Sequence, residues 1–167
     1  MEFARQAVAL APNDRDGRYA LALVLDAKGR APEALIEAGR AVALGAGADA
    51  RLLQASLAMR TGDVALAQRA TDETLRVAPN DARALYNLGL LEQRRGHYNA
   101  AREAYLRALR ADPTSYGARY NLAAMTNAAG ATDEARHHAT LLLRAHPGDR
   151  RATELLQSVN RPSEGTH

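Results

Sequence analysis

The strongest constraint on this chain is an internal period of 34 residues. Pro79, Pro113 and Pro147 stand 34 residues apart, and four glycines keep that spacing apart from a first interval of 33: Gly29, Gly62, Gly96 and Gly130. Helical apolar patterns fill the segments between these prolines and glycines. Glycine permits the left-handed turn that ends one helix, and proline stops the next. The sequence therefore predicts a repeated unit of helix, glycine turn, helix and proline turn.

Small residues recur at two columns of this unit and indicate closely packed helix pairs. If the units are counted from Arg15, Ala48, Ala82 and Tyr116, the eighth position, on the first helix, holds Ala22, Ala55, Gly89 and Ala123. The twentieth position, on the second helix, holds Ala34, Ala67, Ala101 and Ala135. Leucine fills the seventh position except at Gln54. Small side chains on both helices allow the two axes to approach to about 8 Å.

The third unit carries the fullest set of residues typical of a known family. They are Leu85, Asn87, Leu88, Gly89, Gly96, Tyr98, Ala101, Tyr105, Ala108 and Pro113. In spacing and residue type the chain resembles the tetratricopeptide repeat family. The resemblance covers nearly the whole sequence and implies an all-α fold, a right-handed α-solenoid of antiparallel helix pairs with about ten helices.

The period predicts one solenoid domain over residues 1–160. It is divided into a half repeat, 1–14, four repeats, 15–48, 48–81, 82–115 and 116–149, and a closing helix, 150–160, followed by a disordered tail, 161–167. The first repeat ends in "GAGA" without a proline, so a different turn is expected there. The N-terminal half repeat has two interpretations: the chain is a fragment of a longer array, or Phe3, Val8 and Leu10 cap the first repeat.

The sequence lacks the motifs of most catalytic and metal sites. The chain has no cysteine, no phosphate-binding glycine loop and no nucleophile elbow, so we predict no enzyme activity and no cofactor. His137 and His138 point about 100° apart on a helix and His146 lies two turns further on, so we predict exposed histidines and no metal site. No apolar run reaches the roughly 20 residues of a membrane span. The net charge of +3 forms no basic tract, so no nucleic-acid partner is expected.

The resemblance implies that the first helices line a concave groove that binds peptides or partner helices. In the third repeat the groove positions are Arg83, Tyr86, Asn87, Leu90, Gln93 and Arg94. In the fourth they include Tyr120, Asn121 and Asn127, and Tyr19 is the counterpart of Tyr86 and Tyr120 in the first repeat. The acidic-tail clamp of some co-chaperone members is not expected, because its basic positions are here Tyr, Leu, Ser or Ala.

Asn87 and Asn121 occupy equivalent positions one repeat apart. A side-chain amide offers a donor and an acceptor, which matches one peptide unit of an extended ligand. The alternative is that these amides tie neighbouring repeats together. The tyrosine column has the same two interpretations, ligand contact or packing on the next helix.

These observations predict a non-catalytic scaffold that binds a peptide segment or partner helix in the groove. One alternative is a structural module that forms homo-oligomers through its terminal helices. Another is the targeting domain of a larger enzyme such as a transferase. The alanine- and arginine-rich composition is typical of a bacterial protein. We expect a cytoplasmic protein, or a periplasmic one if an export signal lies outside this chain.

Overall fold

A computed structural model describes residues 2–161 of the chain. These residues form ten α-helices and no strand, which confirms the all-α prediction. The helices are α1 Glu2–Leu10, α2 Arg15–Ala27, α3 Ala31–Ala43, α4 Ala48–Thr61, α5 Val64–Val77, α6 Ala82–Arg94, α7 Tyr98–Ala111, α8 Tyr116–Ala128, α9 Thr132–Ala145 and α10 Arg150–Asn160. Met1 and all of the predicted tail except Arg161 lie outside the described residues.

Aspartate explains why the proline turns lead so regularly into a new helix. The carboxylate of Asp81 accepts hydrogen bonds from the backbone N–H groups of Arg83 and Ala84, at 2.9 and 3.0 Å. Asp14 and Asp149 cap α2 and α10 in the same way. An N-terminal cap of this kind contributes about 1 kcal/mol of helix stability. The turn between the two helices of a repeat instead depends on glycine, as at Gly62, whose φ of 91° is left-handed.

The junction after the first repeat turns differently, as its sequence suggests. There α3 ends at Ala43 without a proline after it, and Gly45 adopts a φ of 86°. The N–H of Ala46 then bonds to the carbonyl of Ala41, at 2.9 Å, so the chain reverses through a glycine-ended helix terminus.

The close approach of helices is sharpest between α6 and α7. A Cβ atom added to Gly89 would lie 2.4 Å from Cε1 of Tyr105, so the tyrosine ring rests directly on the glycine backbone. Tyr105 is fully buried. In the other three repeats the pair at the same two positions is Ala22 with Ala38, Ala55 with Thr71, and Ala123 with Ala139, and all six residues are fully buried. The third repeat therefore combines the smallest residue on the first helix with a large aromatic residue on the second.

Two of the three arginines at the fourth position of a repeat bind the preceding proline turn. From the sequence, the stems of Arg18, Arg51 and Arg119 are expected to pack while their heads reach water. The Arg18 head instead donates to the Pro12 carbonyl, at 2.6 Å, and to Glu37, at 2.7 Å, and its side chain is only 14% exposed. Arg119 donates to the carbonyl of Pro113, at 2.6 Å. These heads hold the preceding proline turn in place.

His138 corrects the prediction of exposed helix histidines. It is 9% exposed, and its Nδ1 is buried without a hydrogen-bond partner in the described residues. Burial lowers the pKa of His138 below its usual range, and the nearby His137, Arg119 and Arg102 lower it further. The carboxylate of Glu134, 4.0 Å from Nε2, opposes this effect. The error arose because the position of His138 faces the first helix of its own repeat.

We predict that Gly89→Ala destabilises the protein by about 1–3 kcal/mol, because the new methyl group overlaps the Tyr105 ring. Gly39→Ala is the matched control, since its methyl would meet only the movable Nε2 of Gln54, at 3.2 Å. It should be neutral or stabilising by up to ~1 kcal/mol through helix propensity. Urea unfolding measures both. Adding Tyr105→Ala to Gly89→Ala recreates the alanine pair of the fourth repeat, so the two losses should be less than additive. Additive losses would contradict the contact.

We predict that stability falls as the pH drops below 6.5, the usual pKa of histidine, because the unfolded chain takes up a proton that buried His138 resists. Urea unfolding at about pH 7.5 and 5.5 measures the loss. His138→Gln should make the loss smaller, whereas His137→Gln, which removes one of the charges that lower the pKa of His138, should reduce the loss to a lesser degree. An equal loss in all three proteins would show that His138 is not the responsible group.

Candidate peptide-binding groove

The packing of the helices shows which side of the solenoid is concave. First helices of neighbouring repeats contact one another, α4 with α6, α6 with α8 and α8 with α10. Within the described residues the second helices make no comparable contacts with each other, because each is held between two first helices. The closer spacing of the first helices places them on the inner side of the curve. The predicted site residues all lie on these inner helices.

Tyr86 and Asn121 meet across the boundary between the third and fourth repeats. The Asn121 Nδ2 donates to the Tyr86 hydroxyl at 3.4 Å. Gly117 allows this approach, because a Cβ atom there would lie 2.9 Å from Cζ of Tyr86. For this pair the structure favours the inter-repeat tie that the sequence left as an alternative to ligand binding.

Gln93 is held by a residue of the second helix. The hydroxyl of Tyr105 donates to Oε1 of Gln93 at 2.7 Å. Burial raises the pKa of Tyr105 far above its usual value, and the nearby Tyr86 adds to this, so the hydroxyl stays protonated and remains a donor. The Tyr86 and Tyr105 rings lie 6.1 Å apart. The sequence analysis recognised Tyr105 only as a family-typical residue and missed its hydrogen bond to a groove side chain.

The predicted groove arginines also reach across repeat boundaries. Arg83 contacts Asp49 at 2.7 Å, and this hydrogen bond is the main reason that the pKa of Arg83 is raised. Arg94 donates to the carbonyl of Met59 at 3.4 Å. Each of these exposed contacts contributes at most about 1 kcal/mol to the free energy of unfolding. Their geometric effect is to join the second repeat to the third.

The fourth repeat is tied to α10 in a similar way. The rings of Tyr116 and Tyr120 stack 6.0 Å apart, and the guanidinium of Arg151 lies 4.6 Å from the centre of the Tyr120 ring. Asn127 donates to the Ser158 hydroxyl at 3.2 Å. The sequence analysis did not predict that Tyr116 and Arg151 belong to this set of contacts. Their positions at the starts of α8 and α10 were the signal that could have indicated it.

Asn87 differs from these neighbours. It is 5% exposed, yet its amide makes no hydrogen bond within the described residues. Every other amide or guanidinium predicted in the groove of these two repeats has a protein partner. The two apolar contributors are less distinctive: Leu90 is half-buried beside the core of the third repeat, and half-buried Tyr19 packs on Ala41, Ala46 and Ala50.

Comparison with known proteins identifies the family. The family model described as Tetratricopeptide repeat matches residues 52–115 and 88–150, which together span more than half of the chain. The chain belongs to the tetratricopeptide repeat family. Tetratricopeptide repeats serve as protein–protein interaction scaffolds and are generally non-catalytic, so protein partners follow from the family. No curated protein sequence matches the chain significantly.

Solved structures share the tetratricopeptide solenoid. A crystal structure of MamA is 20% identical, with 92% of this chain and 85% of that chain covered, at a TM-score of 0.70. A tetratricopeptide repeat protein from Parabacteroides merdae is 23% identical, with 95% and 63% covered, at a TM-score of 0.75. A mutant O-GlcNAc transferase from Thermobaculum terrenum is 32% identical, with 67% and 22% covered, at a TM-score of 0.62. The first two likenesses show the fold alone.

Metal-binding clusters and membrane-spanning helices are both absent from the described part of the tetratricopeptide array. Residues 2–161 contain no group of three or more histidine, aspartate or glutamate side chains placed to hold a metal ion. No helix in the same range is long and apolar enough to cross a membrane.

Proposed function

We propose that this tetratricopeptide repeat protein holds an extended peptide segment of a partner in the groove of its third and fourth repeats. The observation that carries the proposal is Asn87 on the concave side, whose amide makes no hydrogen bond to the described residues and keeps contact with solvent. Because its amide atoms touch solvent and are not used by the protein, a ligand can reach both its donor and its acceptor. A peptide backbone supplies both an N–H and a carbonyl. It can therefore donate to the amide oxygen and accept from the amide nitrogen, whatever the peptide sequence.

The surroundings of Asn87 describe the rest of the binding surface. Tyr86 and Gln93 are held in place by Asn121 and Tyr105, so a ligand meets oriented side chains. Preorganised groups lose little conformational entropy on binding, which favours affinity. Half-buried Leu90, one helical turn after Tyr86, offers an apolar contact for a ligand side chain.

The test uses peptides of about 12 residues selected by display against the full chain, with affinity measured by calorimetry. Asn87→Ala should weaken binding about fivefold, because one hydrogen bond contributes roughly 1 kcal/mol. Asn121→Ala, which mainly loosens the Tyr86 hydroxyl, should weaken binding less. Both variants need unchanged helicity and unfolding midpoints for this comparison.

A peptide with one backbone nitrogen methylated at a time provides the decisive control. One methyl position should remove the effect of Asn87→Ala, because that nitrogen is the one paired with the amide. The groove proposal fails if the double variant Asn87→Ala with Asn121→Ala keeps both full affinity and the native fold.

The Thermobaculum terrenum likeness supports a second candidate function. A chain 32% identical over the aligned region forms part of an O-GlcNAc transferase there, and this chain corresponds to 22% of that protein. The same groove would then present protein substrates to an attached enzyme domain. An antibody against residues 82–115 would detect, in the source organism, a band far larger than 17.9 kDa. A band near that mass would remove this candidate.

A further inference from the structure

The fourth repeat has a histidine where the first repeat has a glutamate. By the repeat count, His138 and Glu37 both occupy the twenty-third position, on the second helix. In both repeats the fourth position of the first helix, which faces them, is arginine, Arg119 and Arg18. In the first repeat this pair is a salt bridge, with 2.7 Å between Nη1 of Arg18 and Oε2 of Glu37. In the fourth repeat the pair avoids repulsion only while His138 is neutral.

The charged groups around His138 oppose a positive charge on its ring. Arg119 faces it from α8, Arg102 faces it from α7, and His137 is its neighbour on α9. The carboxylate among these groups, Glu134, lies 4.0 Å from Nε2 of His138 and binds Arg102 at 2.8 Å. Helix α10 meets α9 through an apolar cluster. A protonated His138 would therefore face more positive than negative charge.

Hydrogen bonding opposes the charged ring as well. An imidazolium ring donates from both of its nitrogens. Nδ1 of His138 is buried and has no hydrogen-bond partner among the described residues. A proton on that nitrogen would meet no acceptor, which destabilises the packed arrangement. Protonation therefore favours a movement of the ring, or of the helix that carries it, away from its present neighbours.

Arg119 connects His138 to the groove. It donates to the carbonyl of Pro113 at 2.6 Å and so holds the turn that leads into α8. The next residues of α8 are the groove residues Tyr120 and Asn121, and the Asn121 amide donates to the Tyr86 hydroxyl of the third repeat. A shift of α8 relative to α9 therefore changes the positions of groove side chains.

We propose that mild acidification loosens the packing of α8 on α9 through His138 and thereby weakens peptide binding in the groove of the third and fourth repeats. The effect on binding rests on the proposed function, whereas the loosening does not. Repeat arrays open locally, and the charges involved lie around α8 and α9. The first two repeats therefore keep their packing in the same pH range.

The direction of the pH effect follows from the environment of the ring. Burial and the neighbouring positive charges lower the pKa of His138 below its usual value of 6.5. A loosened segment takes up the proton more readily than the packed one. The packed arrangement therefore loses stability as the pH falls below 6.5.

The first experiment measures amide hydrogen exchange of the full chain without a ligand at about pH 7.5 and 5.5, with labelling times scaled to the intrinsic exchange rates. Protection in α8 and α9 should fall about tenfold at the lower pH, because like charges in contact oppose the packed arrangement. Protection in α4 and α5, which contain no histidine, should change by less than about twofold.

Other repeats of the chain supply matched variants for this experiment. His138→Glu restores the arginine–glutamate pair of the first repeat, and Arg119→Leu copies Leu85 of the third. The first should remove most of the pH effect on protection, and the second should reduce it to about threefold. His138→Gln provides a neutral second variant with the same expected result as His138→Glu. His146→Gln removes an exposed histidine that follows α9 and should keep the full effect.

The second experiment measures binding by calorimetry, with a display-selected peptide that lacks histidine and acidic residues and therefore does not titrate in this range. Affinity should weaken about threefold between pH 7.5 and 5.5, less than protection does, because the packed arrangement stays populated. Since the peptide favours neutral His138, binding near pH 6 should release protons, which buffers of different ionisation enthalpy reveal. Both effects should be lost in His138→Gln, whereas Asn87→Ala should weaken binding by the same factor at both pH values.

Unchanged protection of α8 and α9 at the lower pH would overturn the proposal, and so would an equal pH effect in His138→Gln. Loosened helices with unchanged affinity and no proton release would overturn the coupling to the groove, while the proposed function would stand because the peptide still binds. Binding that ignores Asn87→Ala combined with Asn121→Ala would instead refute the proposed function, and the exchange measurement would still decide whether His138 loosens the two helices.

Discussion

The close contact between the two helices of each repeat is the constraint on which the rest of this structure depends. Alanine or glycine at the eighth position lets the axes approach, and the apolar side chains around that point then fill the space. Where the first helix has glycine, the second has Tyr105, and where the first has alanine, the second has alanine or threonine. A large residue on the second helix thus occurs only where the first helix has no Cβ atom at this contact. Because the facing residues fit one another in every repeat, a chain with one phenylalanine and no tryptophan can build a continuous core.

Contacts between repeats use a different kind of interaction. They include the Asn121–Tyr86 and Asn127–Ser158 hydrogen bonds and the contact between Arg83 and Asp49. Each is weak, because most of these groups remain partly hydrated. Together they fix the orientation of the inner helices and occupy most of the polar groups on the concave side. Asn87 stands out against this background, because its amide takes part in none of these contacts between repeats and keeps contact with solvent.

The sequence predicted the fold well because the period and the small residues are physical requirements of stacking. Any chain that packs helix pairs this way needs a turn-forming residue at Gly62 or Gly96 and a small one at Gly89. The roles of the groove residues were harder to predict. Asn121 lies on the same helix face whether it binds a ligand or the Tyr86 hydroxyl, so the helical period cannot separate the two. His138 was predicted wrongly because exposure was judged from residue type, whereas its position faces the fourth position of its own repeat. The partner contacts of the site stay predictions.

The close fit of the Tyr105 ring on Gly89 also bears on how a repetitive chain avoids pairing its helices in the wrong order. Helices that share a pattern can join incorrect neighbours during folding, and repeat proteins are prone to such errors. The bulky ring on α7 overlaps any first helix with a Cβ atom at the eighth position, which excludes α2, α4 and α8 as partners. Only α6 accepts it. The Tyr105 side chain thus makes the pairing of α6 with α7 specific. Once this pair has formed, the sequence order of the remaining, less specific pairs is fixed relative to it.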